Sequence, residues 1–195
     1  RLKLKQKIRF FANGSTFEGI TAVINHLIAH TCDAPPQAFN TSWTMLANGS
    51  GGGYAQIGVF RYNNGDCLRW FFEYRKNPSD GSHRTVLTSP FPCLSASDAN
   101  QMRVEYVQAA NFGAGGLQLR VDESLIYTTG FNPYDYWAKP MKTIVSGETT
   151  YAESQVLPST FSAIQMQRFD NVWISAAPTH LPTTPACNWP KKYTK

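Results

Sequence analysis

A glutamine and a glutamate in two neighbouring strand-like segments are the residues of this 195-residue chain best suited to form a chemical site. Gln56 lies between small and β-branched residues, and Glu73 follows the aromatic run Trp-Phe-Phe. A buried amide without a hydrogen-bond partner costs about 1–3 kcal/mol. Gln56 is therefore either a paired polar group of the core or part of a site, and Glu73 is a candidate partner.

Length and composition favour one secreted domain rich in β-structure. A chain of this length buries about 70% of the surface that its unfolded form exposes, which predicts a single large core. Charged residues make up only 16% of the chain, against roughly 25% in soluble domains, and Gly, Ser, Thr and Asn fill the difference. Three Asn-x-Ser sequons, at Asn13, Asn40 and Asn48, would accept glycans only in a suitable host.

No apolar run reaches the roughly 18 residues that a membrane-spanning helix needs, so we expect no membrane span. No signal peptide is visible either, which favours a mature form whose leader has been removed.

The net charge of +5 is concentrated at the two ends of the chain. The first ten residues hold five of the 18 basic residues, and the last five residues hold three more. Because the middle is nearly neutral, the basic arm is more typical of a solvated terminus than of a nucleic-acid footprint, and we expect no nucleic-acid partner. The arm also alternates apolar residues with lysines, at Leu2, Leu4 and Ile8. An edge strand or a surface-binding segment is therefore an alternative interpretation of the arm.

The four cysteines predict two disulfides, since they form neither a Cys-x-x-Cys pair nor a metal-binding pattern with histidines. Three connectivities are possible. We favour Cys67–Cys93, which would flank a predicted hairpin, together with Cys32–Cys187, which would tie the C-terminal tail to the body. Disulfides are typical of an oxidising, extracellular compartment, so we expect a secreted protein.

Segments rich in β-branched and aromatic residues, each closed by turn residues, predict strands along most of the chain. Their density and the lack of a βαβ rhythm indicate an all-β fold, an antiparallel two-sheet sandwich in a single domain. In Ile20–His30 the apolar residues also recur at helical spacing, so a short helix stays open there. The predicted strands are Phe17–Ile24, Ser42–Leu46, Tyr54–Tyr62, Leu68–Arg75, His83–Leu87, Met102–Ala109, Gly116–Val121, Ser124–Thr129, Thr143–Glu153, Ile164–Arg168 and Asn171–Ser175.

We divide the chain into a basic N-terminal arm over residues 1–16, a β-sandwich domain over 17–177 and a Pro/Thr-rich C-terminal strap over 178–195. Both arms are candidates for self-assembly through strand addition to a neighbouring molecule.

The block from Trp43 to Tyr74 resembles the eqolisins, a family of glutamic peptidases, and more distantly the plant peptidase neprosin. Eqolisins carry a Ser-x-Trp-x-x-Leu/Ile segment, a Gln-x-Gly strand with the catalytic glutamine, and an aromatic strand of Trp-x-Glu-Trp/Tyr type. The matching segments here are Ser42–Leu46, Gln56–Gly58 and Trp70–Tyr74. The resemblance covers roughly residues 17–176 and implies a concanavalin-like sandwich, a jelly roll of two curved antiparallel sheets.

The same resemblance implies a catalytic pair. Eqolisins carry a catalytic glutamate on a later strand, and Glu148 in Val145–Tyr151 matches that position, with Phe169–Ile174 similar to the closing strand. The chain departs from the pattern in that no Trp follows Glu148, and Glu153 competes with it for the role. In amide hydrolysis Glu148 would activate water and the amide of Gln56 would stabilise the oxyanion.

Several further residues are candidates for supporting roles or for substrate contact. Glu73, Trp70 and Tyr74 would surround the catalytic pair. Aromatic rings on the concave face of a curved sheet suit a polypeptide or an extracellular glycan. The predicted substrate-binding residues are Trp43, Tyr54, Tyr134, Trp137 and Tyr151, and the Pro-bounded loop from Tyr134 to Trp137 is the best candidate for an exposed cluster.

Other kinds of site find little support. His26 and His30 would share a face only if their segment were helical, so we expect no metal. The chain has no Gly-x-Ser-x-Gly elbow, phosphate loop or dinucleotide fingerprint, and we expect no cofactor. Besides a peptidase, the sequence leaves open a non-catalytic module that binds glycan or peptide, and a structural subunit of an extracellular assembly.

Overall fold

The computed structural model describes residues 5–10, 17–25, 39–62, 67–87, 93–95, 98–108, 115–137, 141–149 and 160–176. Their secondary structure is twelve strands and one short 3-10 turn, Pro133–Asp135. No helix in these ranges is long and apolar enough to cross a membrane. The strands are β1 (Lys5–Phe10), β2 (Phe17–Asn25), β3 (Phe39–Ala47), β4 (Tyr54–Tyr62), β5 (Arg69–Arg75), β6 (His83–Val86), β7 (Ala99–Val107), β8 (Gly116–Val121), β9 (Ser124–Thr128), β10 (Lys142–Thr149), β11 (Thr160–Arg168) and β12 (Trp173–Ser175).

The strands form two six-stranded sheets in which all neighbours run antiparallel, which confirms the predicted sandwich. The first sheet has the order β1-β10-β3-β4-β5-β6, and the second has the order β12-β11-β2-β7-β8-β9. Strands distant in sequence, such as β3 and β10, therefore become neighbours, and residues about a hundred positions apart meet on one face.

The inner faces of the two sheets share one apolar core, because alternate residues of each strand point to the same side. Ile57 and Val59 of the first sheet, and Ile20 and Leu119 of the second, are fully buried members of this core. Complete burial of such a side chain stabilises the fold by about 1.5–3 kcal/mol.

The outer face of the first sheet is also apolar and buried over much of its area. Trp43, Phe60, Phe71 and Ile144 form a second cluster there, with Phe71 fully buried. A polar group among these buried residues of the outer face must be hydrogen-bonded to be tolerated.

Several local predictions can be compared with the structure. The predicted disulfide Cys67–Cys93 is confirmed, whereas Cys32 and Cys187 lie outside the described residues. Strand β1 occupies an edge of the first sheet, which is one of the two alternatives open for the basic arm. The competing helix is wrong for the part of Ile20–His30 that is described, since β2 continues to Asn25.

Other regions lie wholly or partly outside the described residues, and the strap over 178–195 is among them.

The side chain of the sequon residue Asn48 is buried and accepts hydrogen bonds from the backbone and hydroxyl of Ser50. Its carboxamide therefore belongs to a turn and does not extend into solvent.

Replacing Cys67 and Cys93 together by serine should lower the free energy of unfolding by about 3–4 kcal/mol, because the bridge closes a loop across 26 residues. Urea denaturation followed by circular dichroism measures the loss. The variant Ser95→Ala, in the same region of the chain, is the control. If the free energy of unfolding decreases no more than in the control, the bridge does not stabilise the fold by restricting the conformations of the unfolded chain.

Candidate functional site

The register of three strands places Gln56 at the centre of the outer face of the first sheet. On β4, Gln56 is directly opposite Met45 of β3 and directly opposite Glu73 of β5. Its exposed fraction is only 6%, and that of Glu73 is 5%. The two polar side chains that sequence analysis singled out are thus cross-strand neighbours within a largely apolar surface.

The carboxylate of Glu73 accepts hydrogen bonds from three surrounding side chains. The Tyr54 hydroxyl donates to Oε1 at 2.5 Å, and the Gln56 amide nitrogen donates to Oε2 at 3.2 Å. The Arg84 guanidinium donates from Nε to the same Oε2 at 2.7 Å and forms a salt bridge. Both carboxylate oxygens are therefore occupied, and the orientation of the Gln56 amide is fixed with its nitrogen toward Glu73.

The ionisation of Glu73 follows from this arrangement. Burial opposes the charged form, but the hydrogen bond from Tyr54 and the positive charge of Arg84 outweigh it and lower the pKa of Glu73 below 4.5. Conversely, burial and the hydrogen bond to Glu73 raise the pKa of Tyr54 well above its ordinary value. Glu73 is an ionised anchor at neutral and mildly acidic pH, and its occupied oxygens make it a poor proton acceptor.

A tryptophan lies beside Gln56 on the same face. Trp43 of β3 is opposite Gly58 of β4 and Ser146 of β10, so small residues flank it on both sides. A Cβ atom at Gly58 would lie 2.0 Å from the Ser42 carbonyl oxygen and 2.6 Å from the Trp43 Cα, which explains the glycine of the Gln-x-Gly motif.

The indole nitrogen of Trp43 is a hydrogen-bond donor that the described residues do not satisfy. Trp43 is only 3% exposed, and its Nε1 has no hydrogen-bond partner among them. A buried donor of this kind costs about 1–3 kcal/mol unless a ligand or solvent accepts from it. The outer face at Gln56 therefore contains one oriented amide and one unsatisfied N–H group.

The predicted catalytic glutamate lies two strands away from Gln56. The backbone of Glu148 in β10 pairs with Thr41 of β3. Glu148 is two residues from Ser146 along the strand, so the two positions belong to the same face. Gln56 pairs with Met45, four residues further along β3. Ideal strand spacings give about 10 Å across the sheet and about 13 Å along it. Gln56 and Glu148 thus occupy diagonal positions on either side of Trp43.

Other predicted site residues do not join this face. Trp70 and Tyr74 alternate with Glu73 and pack against the core between the sheets, where the hydrogen bond with the Tyr127 hydroxyl raises the pKa of Tyr74 to about 12. Trp137 is buried in the same core and donates its indole N–H to the Lys76 carbonyl at 2.7 Å.

The predicted exposed cluster from Tyr134 to Trp137 is only partly exposed. Tyr136 is 44% exposed, whereas Tyr134 packs edge-on against Tyr106 beside the core. Neither ring reaches the face that carries Gln56. Tyr151 and Glu153 lie outside the described residues.

Arg84 is the functional residue that sequence reasoning missed. It lies directly opposite Glu73 in the β5–β6 hairpin, where a cross-strand pair of opposite charge is favourable. The turn residues from Asn77 to Gly81 locate that hairpin in the sequence. Its register, which places Arg84 opposite Glu73, is the signal that could have identified the ion pair.

No cluster of three or more His, Cys, Asp or Glu residues suitable for a metal ion occurs within the described ranges. The residues around Gln56 offer an amide, an indole N–H and an engaged carboxylate, a set of groups that suits a polar organic ligand better than a cation.

Comparisons with known proteins give the same architecture. No protein-family model matches the sequence, and no curated protein matches it. A crystal structure of Scytalido-glutamic peptidase with a peptide-based transition state analog matches with a TM-score of 0.53 and 14% identity, covering 88% of this chain and 82% of that one. A second structure of that peptidase, with a transition state analog inhibitor, matches with a TM-score of 0.51 and 15% identity, covering 83% and 79%.

At this level of identity the likeness establishes the fold alone. The predicted resemblance to glutamic peptidases is therefore confirmed for the architecture.

Replacing Glu73 by glutamine should lower the free energy of unfolding at pH 7 by about 1–3 kcal/mol, since the charged acceptor of three donors is lost. The pKa of Glu73 is lowered on folding, so its stabilising contribution is present above pH 4.5 and disappears as the pH falls through the folded pKa. The difference between wild type and variant should narrow toward acidic pH. Urea denaturation at a series of pH values measures this difference in the free energy of unfolding, and Glu123→Gln, at an exposed glutamate, is the control. A difference that does not change with pH would contradict the prediction.

Proposed function

We propose that this protein is an extracellular peptidase of the glutamic type, which hydrolyses polypeptides bound across Trp43 on the outer face of the first sheet. The observation that carries the proposal is the amide of Gln56, held by Glu73 beside the unsatisfied indole N–H of Trp43. The disulfide Cys67–Cys93 supports an oxidising compartment. The glutamic-peptidase fold supports a polypeptide as substrate.

Gln56 would polarise the carbonyl of the scissile bond. One amide hydrogen of Gln56 is engaged by Glu73, which leaves the second hydrogen for the oxyanion that develops during attack. Because the orientation is fixed before the substrate binds, little reorganisation is needed in the transition state. Glu73 acts here as a positioning residue.

Glu148 would act as the general base and then as the general acid. It would take a proton from water as the oxygen attacks the carbonyl carbon, and would return that proton to the nitrogen as the C–N bond breaks. The products are a free carboxyl group and a free amine. Since Glu73 has a lowered pKa, the Gln56 amide stays anchored under mildly acidic conditions, which supports operation at acidic pH.

Trp43 would contribute to substrate binding through its indole N–H group. A peptide carbonyl lying over Gly58 and Ser146 would meet this donor without a competing side chain, because both neighbours are small. The Tyr54 hydroxyl is already engaged by Glu73, so Tyr54 is better suited to orient that carboxylate than to bind substrate.

A second function is favoured by the register of the first sheet. Gln56 is opposite Met45 and the backbone of Glu148 is opposite Thr41, a larger separation than one hydrogen-bonded dyad requires. The alternative is a module that binds peptide through Gln56 and Trp43 without cleaving it. Measuring binding and turnover on the same variants separates the two functions.

The substitutions Gln56→Ala and Glu148→Gln should each lower kcat/KM for casein at acidic pH by at least about 100-fold, as expected for loss of an oxyanion donor or a base. Cleavage should be resistant to pepstatin, and liquid chromatography with mass spectrometry would measure the products. Gln101→Ala on β7 of the second sheet and Glu123→Gln in the turn between β8 and β9 are matched controls.

Unchanged turnover in both site variants would overturn the catalytic roles. If the wild type binds peptide without cleaving it, and Gln56→Ala abolishes that binding, the non-catalytic function is the correct one.

Replacing Trp43 by phenylalanine retains most of the apolar contact but removes the indole N–H group. We expect an increase of about fivefold in KM for a peptide substrate, since one hydrogen bond contributes about 1 kcal/mol. The free energy of unfolding should hold or rise, because a buried unsatisfied donor disappears. An unchanged KM with a lower stability would assign the indole to packing alone.

A further inference from the structure

The outer face of the second sheet carries a row of polar residues across four adjacent strands. Gln167 of β11 is opposite Gly19 of β2, Gly19 is opposite Glu105 of β7, and Glu105 is opposite Gln118 of β8. Gln118 is 1% exposed and Gln167 is 8% exposed. Buried amides and a carboxylate in one cross-strand row require explanation, since each must be hydrogen-bonded to be tolerated.

A cavity lies beside this row, next to a β-bulge. A Cβ atom at Gly19 would lie 2.8 Å from the Gln167 side-chain oxygen and 3.0 Å from the Trp173 ring, so the glycine leaves the place that these two side chains occupy. The register shifts between Gln167 and Arg168, which leaves Glu18 as the extra residue of β2. Bulges re-aim side chains, and Glu18 lines the cavity with Glu105 and Gln118. Its volume is about 290 Å³.

The hydrogen-bonding groups around the cavity are held in place. Arg120 donates from its guanidinium to the Gln118 side-chain oxygen at 2.6 Å and pairs with Glu105 at 3.0 Å. The Gln167 side-chain oxygen is buried and has no hydrogen-bond partner in the part of the chain that the structure describes. The site thus has fixed donors and acceptors and one unsatisfied acceptor.

The charges that line the cavity are of both signs. Glu18 and Glu105 contribute carboxylates, and Arg120 contributes a guanidinium that pairs with Glu105 at 3.0 Å. Arg103 is not among the lining residues and pairs with Glu123 as well as with Glu105. An anionic ligand gains little from such a site, because the guanidinium is already paired. A neutral ligand rich in hydroxyl groups can both donate and accept there.

An exposed aromatic residue lies in the tight turn between two residues that line the cavity. Those residues are Gln167 and Asn171, and Phe169 between them is 60% accessible. A flat apolar ring beside a polar pocket suits a ligand with one apolar face and polar edges.

We propose that this cavity binds one neutral sugar unit of a saccharide, with its hydroxyls bonded to Gln167, Glu105 and Gln118 and its apolar face against Phe169. The cavity volume lies at the lower end of ligand pockets, which start at about 300 Å³ and are selective when a few polar groups are well placed. An extended peptide could not join the sheet there as an added strand, because the four lining strands are internal to the sheet and expose no edge.

The proposal is independent of the peptidase function, because the two sites lie on outer faces of different sheets. The variants Gln167→Leu and Phe169→Ala test it. Titration calorimetry against neutral oligosaccharides built from glucose, xylose, mannose and N-acetylglucosamine gives the dissociation constants. A glycoprotein bearing high-mannose glycans, with its deglycosylated form, distinguishes a protein-linked glycan from a free oligosaccharide.

We expect at least one of these saccharides to bind the wild type, and each variant to weaken binding by about tenfold, as expected when one hydrogen bond or stacking contact is lost. Leu125→Ala, an exposed apolar residue on the edge strand β9, and Gln56→Ala should bind as the wild type does. Phe169 is exposed, so its variant should fold even if Gln167→Leu does not. Absence of binding to every saccharide, or binding that only Gln56→Ala abolishes, would overturn the proposal.

Discussion

The carboxylate of Glu73 is the group on which the polar part of the first sheet depends. Tyr54 and Gln56 of β4 and Arg84 of β6 lie on the two strands that flank it, and each donates a hydrogen bond to it. A charge on an otherwise apolar face is tolerated only when it is paired and hydrogen-bonded in this way. The strand register is therefore fixed by electrostatics as well as by packing, since a shift of one residue would move Glu73 to the opposite face. The orientation of Gln56 is a consequence of that constraint.

Glycines on the two sheets make room for large neighbours. On the first sheet, a Cβ atom at Gly58 would collide with the β3 backbone at Ser42 and Trp43, so the glycine allows β3 and β4 to approach closely there. On the second sheet, a Cβ atom at Gly19 would collide with the side chains of Gln167 and Trp173, so the glycine leaves the place that they occupy. In both sheets a glycine therefore positions a residue of a candidate site, Trp43 on the first and Gln167 on the second.

Alternation in the sequence predicted the sandwich and much of its strand structure, because period-two patterns record which face is buried. Tyr54–Tyr62 and Gly116–Val121 were predicted with the bounds that the structure has. The same rule places Trp70 and Tyr74 on the face opposite Glu73, because each is an odd number of residues away from it along β5. The prediction that they support the site did not take this alternation into account. Trp137 was misleading because its Pro-bounded loop resembles an exposed turn, whereas its indole reaches the Lys76 carbonyl in the core. Contacts of that kind depend on tertiary packing, which local patterns do not record.

The order of the strands in the first sheet determines how far apart Gln56 and Glu148 lie. Sequence motifs single out Gln56 and Glu148, but only topology determines that β3 separates their strands and that Trp43 lies between them. In the proposed mechanism both side chains would have to reach the same peptide bond, although their backbones are two strands apart and offset along the sheet. The unsatisfied indole N–H of Trp43 lies on that diagonal, where a carbonyl of the proposed peptide ligand would satisfy it. A peptide that engaged Gln56 and Trp43 but lay out of reach of Glu148 would be bound without being cleaved.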